Sequence, residues 1–126
     1  MPRMTIYNIG DVVLVGFPFT NLQSTKKRPA VIISHSTYQQ QKPDVILMAI
    51  SSQIRQPLAM GEAFLHDWRT AGLIKPSVLK PLIATIEQTR IIKTMGQLSI
   101  NDKNSLAIVI QTIFGQHIGQ VSRTEL

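Results

Sequence analysis

Three short apolar runs rich in valine and isoleucine, each followed by a polar stretch, constrain this chain more than any other feature. Val12 to Phe19 (VVLVGFPF), Ala30 to Ser34 (AVIIS) and Asp44 to Ile50 (DVILMAI) are short for core helices, and their β-branched residues suit a pleated surface. The first is apolar at nearly every position and predicts a strand buried on both faces. Pro29 sets φ and permits the second strand to start there. Thr20 to Lys27 (TNLQSTKK), Thr37 to Pro43 (TYQQQKP) and Gln53 to Met60 are polar and read as loops.

Further along, Gly61 to Leu65 reads as a fourth strand, and His66 to Gly72 as a single helical turn closed by Gly72. Ser77 to Ile86 contains Pro81, so a strand there is short, interrupted or at an edge, with Leu82 to Glu87 the better half. Arg90 to Leu98, with Gly96 as a breaker, is open between helix and strand. The clearest helix follows Ser99, where Ser99 and Asp102 make an N-cap arrangement. Leu106, Val109, Ile110 and Ile113 fall on one face, continued by Phe114 and reading as core or dimer seam, and Gly115 stops the helix. The tail has room for one last strand around His117 to Val121. At 126 residues the chain has room for one domain, 1–126, and several short strands with one C-terminal helix argue for a small barrel or α+β fold.

Composition narrows the partners. With 44% hydrophobic and 16% charged residues the chain is not disordered by composition, and the low charge hints at apolar surface covered by a partner. A formal net charge of +6 fits an anionic partner: nucleic acid, an acidic protein or an anionic membrane. The absence of cysteine rules out disulfides, cysteine nucleophiles and thiolate metal sites, and it fits a reducing compartment. The N-terminus carries no signal-peptide apolar region. No apolar run approaches the roughly 20 residues needed to span a bilayer, so the expectation is a soluble, intracellular protein without a membrane partner.

The chemistry-bearing residues leave few options. His35, His66 and His117 form no metal-ligand spacing, so no metal site is expected. The glycines are scattered rather than gathered into a phosphate loop. There is no G-x-S-x-G elbow, and the acids are few. What remains is a constellation at strand ends: Lys26, Lys27 and Arg28 where a polar loop meets the second strand, and Ser51, Ser52 and Gln53 where the third runs out. If those strands are neighbours, one end of the sheet presents a guanidinium, two hydroxyls and an amide together. Arginine's planar, permanently charged fork suits a phosphate, and a nearby hydroxyl can donate to one of its oxygens. The alternative is a solvated loop with strand-capping serines. Arg55 and Lys80 read either as further phosphate contacts or as solvated surface, and Trp68 and Tyr38 either as base-stacking or as packing residues.

These same residues resemble the MazF/PemK family of toxin–antitoxin ribonucleases. Gly10-Asp11-Val12-Val13-Leu14-Val15-Gly16-Phe17-Pro18-Phe19-Thr20 is similar to that family's first strand, and Lys27-Arg28-Pro29-Ala30-Val31-Ile32-Ile33-Ser34 to its second. Val45 to Gln53 resembles the third. Lys75-Pro76-Ser77-Val78, Thr85-Ile86, and Gly96-Gln97-Leu98-Ser99 before a helix resemble the last third. The resemblance implies a mainly β (α+β) fold, an SH3-like small barrel with a C-terminal helix, assembled as a homodimer in the cytoplasm. It further implies cleavage of single-stranded RNA with no metal or other cofactor, by attack of a ribose 2′-hydroxyl on the adjacent phosphate. Arg28 and Ser51 fall on the family's catalytic positions, with Lys26, Lys27, Ser52, Gln53, Arg55 and Lys80 expected to bind RNA. A cognate acidic antitoxin is the implied protein partner. The chain departs from better-marked relatives at Gly16, at Leu82-Ile83-Ala84 and in the loop before Arg28. Those departures motivate a rival reading: a non-catalytic SH3-like binding module, or a toxin that poisons a protein target such as a topoisomerase.

Overall fold

The first apolar run forms β1 (Asp11–Val15) in a computed structural model of the chain, which describes residues 5–16 and 26–115. Val12, Val13 and Val15 are fully shielded from solvent, with Val12 in one hydrophobic cluster and Val13 and Val15 in another. This is the two-faced burial that an unbroken apolar run predicts. The second and third runs become β2 (Arg28–Ile32) and β3 (Asp44–Ser51). Their side chains alternate between the same two clusters: Val31, Met48 and Ile50 on one face; Ala30, Ile32, Val45 and Leu47 on the other. β2 starts earlier than the sequence suggests and takes in both Arg28 and Pro29.

Thr37 to Pro43, expected as a loop, is largely helical: α1 spans Ser36–Gln41. His35 caps it, its Nδ1 accepting from the Thr37 N–H at 3.0 Å. Buried Gln39 donates through Nε2 to the Tyr7 carbonyl, tying the helix to the N-terminal segment. The fourth run contributes only β4 (Ala63–Phe64). Residues 66–72 form hydrogen-bonded turns rather than a helix, ending at Gly72 with φ +82°.

β5 (Val78–Glu87) runs unbroken through Pro81, so of the outcomes expected there, a strand short, interrupted or at an edge, it is the edge that holds. Two features accommodate the proline. The partner β4 pairs only with Val78 and Leu79, so Pro81 sits beyond it on an open edge. On the other side the register with β3 jumps between Met48↔Ile83 and Ile50↔Leu79, so Pro81 falls within a bulge. The ambiguous segment resolves as β6 (Ile91–Gln97), paired with β1. The strand proposed around His117 to Val121 lies outside the described residues.

The six strands form one antiparallel sheet in the order β4-β5-β3-β2-β1-β6. The α+β architecture and C-terminal helix match expectation. The small barrel is open, however: among the described residues β4 and β6 are edges with no ladder between them. The segment after β4 crosses that gap instead, and its residues 70–72 lie directly on the β6 backbone at Met95 and Gly96.

Helix α2 (Ile100–Phe114) begins as predicted, with Ser99 Oγ accepting from the Asp102 N–H at 3.2 Å. Leu106 and Val109 are buried, Ile110 and Ile113 pack against the same cluster, and Phe114 stays exposed. Asp102 does more than complete a cap. Fully buried, it accepts from the backbone N–H groups of His66 at 2.9 Å and Asp67 at 2.8 Å, while Ser99 Oγ donates to Asp67 Oδ2 at 2.5 Å. The helix start therefore pins the segment that crosses from β4 to β6. Asp102→Ala strands those N–H donors and is expected to cost about 2–4 kcal/mol. A lowered urea midpoint with an unchanged m value is the result that checks it. Among the described residues no helix is long and apolar enough to cross a membrane.

Candidate functional site

Arg28 opens β2 and Ser51 closes β3, so where the chain enters one strand and leaves the other decides whether they meet. Arg28 pairs with Val15 of β1 on one side. On the other side Ala30 pairs with Ala49, and continuing that register by two residues sets Arg28 across from Ser51. The juxtaposition that the sequence makes conditional on strand order is present. Ser51 also pairs with Val78, so the starts of β2 and β5 and the end of β3 share one end of the sheet.

Arg28 is half-buried, and its Nε is shielded from solvent without a hydrogen-bond partner among the described residues. A desolvated donor of this kind is costly unless something accepts from it. Ser51 Oγ accepts from the Gln53 N–H at 3.0 Å, the local side-chain turn that serine favours, which leaves its O–H to donate elsewhere.

Both residues line two adjoining hollows. One, of about 260 Å³, is completed by Gln53, Lys80 and Leu82. The other, of about 310 Å³, is bounded by Lys27, Ser52 and Lys75 and by apolar Leu73, Ile74 and Met95. A third hollow of about 410 Å³ holds Arg55 and Glu62 and shares Gln53 and Lys80 with the first. Lys80 Nζ meets Glu62 Oε2 at 2.7 Å, and the Ala59 N–H donates to Glu62 Oε1. The lysine, then the backbone donor, hold the Glu62 carboxyl below its usual pKa.

Of the residues nominated from sequence, Arg28, Ser51, Gln53 and Lys80 converge on the first hollow, Lys27 and Ser52 on the second, and Arg55 on the third. Lys26 is exposed and lines none of these three. Sequence reasoning did not nominate Lys75 or Glu62. Lys75 had a signal, a lysine just before the strand whose first residue faces Ser51. Glu62 had none. Trp68 packs partly buried against the core with the Arg69 guanidinium 4.2 Å from its ring centre. His35 is a helix cap and His66 is exposed; His117 lies outside the described residues. Among the described residues no three His, Cys, Asp or Glu side chains gather as a metal site would require.

Chemically, the end of the sheet offers a guanidinium, an ammonium, a hydroxyl and an amide around one space with no carboxylate lining the first hollow. That set has the chemistry to accept a tetrahedral oxyanion, with the Lys80 ammonium also held by Glu62.

A family model described as PemK-like, MazF-like toxin of type II toxin–antitoxin system matches residues 8–114. No curated protein matches the chain by sequence. Several solved structures share its fold. An endoribonuclease in complex with its cognate antitoxin, from a mycobacterial species, has a TM-score of 0.69 at 15% identity over 86% of this chain and 95% of that one. The Mycobacterium tuberculosis toxin MazF-mt6 has a TM-score of 0.67 at 20% identity, over 82% and 95%. MazF from Deinococcus radiodurans gives 0.67 at 15%, over 88% and 98%.

Proposed function

Because the chain belongs to the PemK-like, MazF-like toxin family of type II toxin–antitoxin systems, we propose that it is an endoribonuclease toxin that cuts single-stranded RNA without a bound metal. The observation that carries this reading is the shielded Arg28 Nε, unpartnered among the described residues, beside the Ser51 hydroxyl. A phosphodiester placed there accepts from both. The ribose 2′-oxygen attacks the adjacent phosphorus, the bond from phosphorus to the 5′-oxygen breaks, and the 2′-hydroxyl proton is lost as the leaving oxygen gains one. Charge builds on the non-bridging oxygens during this step. Arg28 neutralises it, and Ser51 donates to an oxygen of the same group. Arginine's permanently charged guanidinium suits it to this electrostatic role rather than to removing a proton.

The relatives extend the proposal to partners. Matched structures include a mycobacterial endoribonuclease with its cognate antitoxin and a MazE–MazF complex from Deinococcus radiodurans. By analogy this chain is silenced in the cytoplasm by an acidic antitoxin that covers the basic end of the sheet, and it works as a homodimer. Product ends test the chemistry. Purified protein incubated with RNA in excess EDTA is expected to leave 2′,3′-cyclic phosphate and 5′-hydroxyl ends. Products carrying 5′-phosphates, or RNA left intact at high protein, would sink the reading.

A further inference from the structure

The three hollows are not separate. Arg28, Ile50 and Ser51 belong to both the first and the second, while Gln53 and Lys80 belong to both the first and the third. Shared walls make them one continuous depression in which Arg28 and Ser51 form a saddle. Their characters differ on the two sides of it. The second hollow has an aliphatic floor of Leu73, Met95 and Ile74, the last 86% exposed at the lip, with Lys27 and Lys75 as its cations. The first is mixed, with Ala49, Ile50 and Leu82 beside its polar groups, the third is polar, and their cations are Lys80 and Arg55.

On the nuclease reading above, we infer that RNA lies along this depression with the scissile phosphate on the Arg28–Ser51 saddle. The aliphatic hollow beside Lys75 takes the base on one side, and the mixed first hollow and polar third hollow take two nucleotides on the other. The aliphatic hollow has no aromatic wall, so it holds a base by packing against Leu73, Ile74 and Met95 rather than by stacking. Each flanking backbone phosphate then has its own cation. Lys75 serves one side and Lys80 the other, where Glu62 is a positioning residue. It fixes one of the three ammonium protons and leaves two to donate. An ammonium held this way contacts phosphate without losing the side-chain freedom a solvated lysine would lose.

The geometry makes a sidedness that binding can read. Once the cut is mapped in a transcript, short oligoribonucleotides spanning it, with a 2′-deoxy sugar at the cut so that none is consumed, serve as probes. Lys75→Ala and Lys80→Ala are each expected to weaken binding several-fold and to flatten the salt dependence by about 0.7 in log–log slope. Shortening the probe from one end should abolish the effect of Lys75→Ala and spare that of Lys80→Ala. Shortening it from the other end should do the reverse. Lys42→Ala, at the far end of β3, is the control and should change neither. Both variants losing their effect with the same truncation, or with neither, would overturn the track. If the protein cuts nothing, the same variants are titrated with polyuridylate. Slopes flattened by Lys75→Ala and Lys80→Ala but not by Lys42→Ala then keep the track and remove the nuclease, whereas equal slopes remove the track as well.

Discussion

Arg28→Ala is expected to lower the rate of RNA cleavage about 100- to 1,000-fold, the loss seen when one pre-aimed donor, worth about 3–4 kcal/mol, is taken from a developing oxyanion. The size of the effect follows from where the fold holds this side chain. Arg28 is the first residue of β2, its backbone paired with Val15 of β1 and held two residues from the Ala30–Ala49 pair with β3. Its Nε is out of water and unpartnered among the described residues. A donor in that state has little solvation left to give up when the phosphate arrives, and its field on the phosphate is less screened than at an exposed site. The same fact predicts the stability outcome. Removing a donor that makes no bond among the described residues relieves a desolvation cost, so Arg28→Ala is expected to change stability by less than about 1 kcal/mol. Arg28→Lys keeps the charge, loses the planar fork, and should recover only part of the rate. Single-turnover cleavage of an end-labelled RNA beside a denaturant melt measures both. Wild-type rates in Arg28→Ala would take Arg28 out of the chemical step and overturn the assignment of the site.

How much of this was legible in the sequence depends on how local each feature is. β1, β2 and β3 announce themselves because the apolar, β-branched runs are long enough to read and are bounded by polar residues. The start of α2 reads equally well, since Ser99 caps Asp102 within the same turn. α1 does not show in the sequence because its helix is polar on most positions: Gln39, the residue it buries, looks no different from its neighbours Gln40 and Gln41. What makes Gln39 a core residue is the carbonyl of Tyr7, far away in sequence. Pro81 leaves β5 open between short, interrupted and edge strand, because the bulge and the early end of β4 that settle it are properties of its neighbours, not of the strand. The site follows the same rule. Arg28 and Ser51 can be nominated from residue type and resemblance, but their meeting rests on the Ala30↔Ala49 register, which no single segment contains. Glu62 becomes part of the site only through Lys80, on another strand.

The largest stability loss is expected from Gly72→Ala, a change invisible to hydrophobic pattern. Gly72 has φ +82°, which a side chain disfavours, costing about 1 kcal/mol. The greater obstacle is space. A Cβ there would lie 2.1 Å from the Met95 carbonyl oxygen and 2.6 Å from its carbon, and these are backbone atoms of β6 that no rotamer change moves away. The crossing segment must lift off β6. Leu65, Ala71 and Leu73, which it contributes to the core, would move with it. A cost of at least about 3 kcal/mol follows from overpacking added to the backbone term, or a fall in Tm of roughly 10 °C. Because Leu73, Ile74 and Lys75 continue from the same segment into the aliphatic hollow, any folded Gly72→Ala protein should also bind RNA more weakly than Asp102→Ala at equal folded fraction. Gly16→Ala has nothing among the described residues within 4 Å of its added carbon and no positive φ, so it is the matched control, expected within about 0.5 kcal/mol of the parent. Should Gly72→Ala melt with that control, the crossing segment does not rest on β6, and the open sheet has no bridge between its edges.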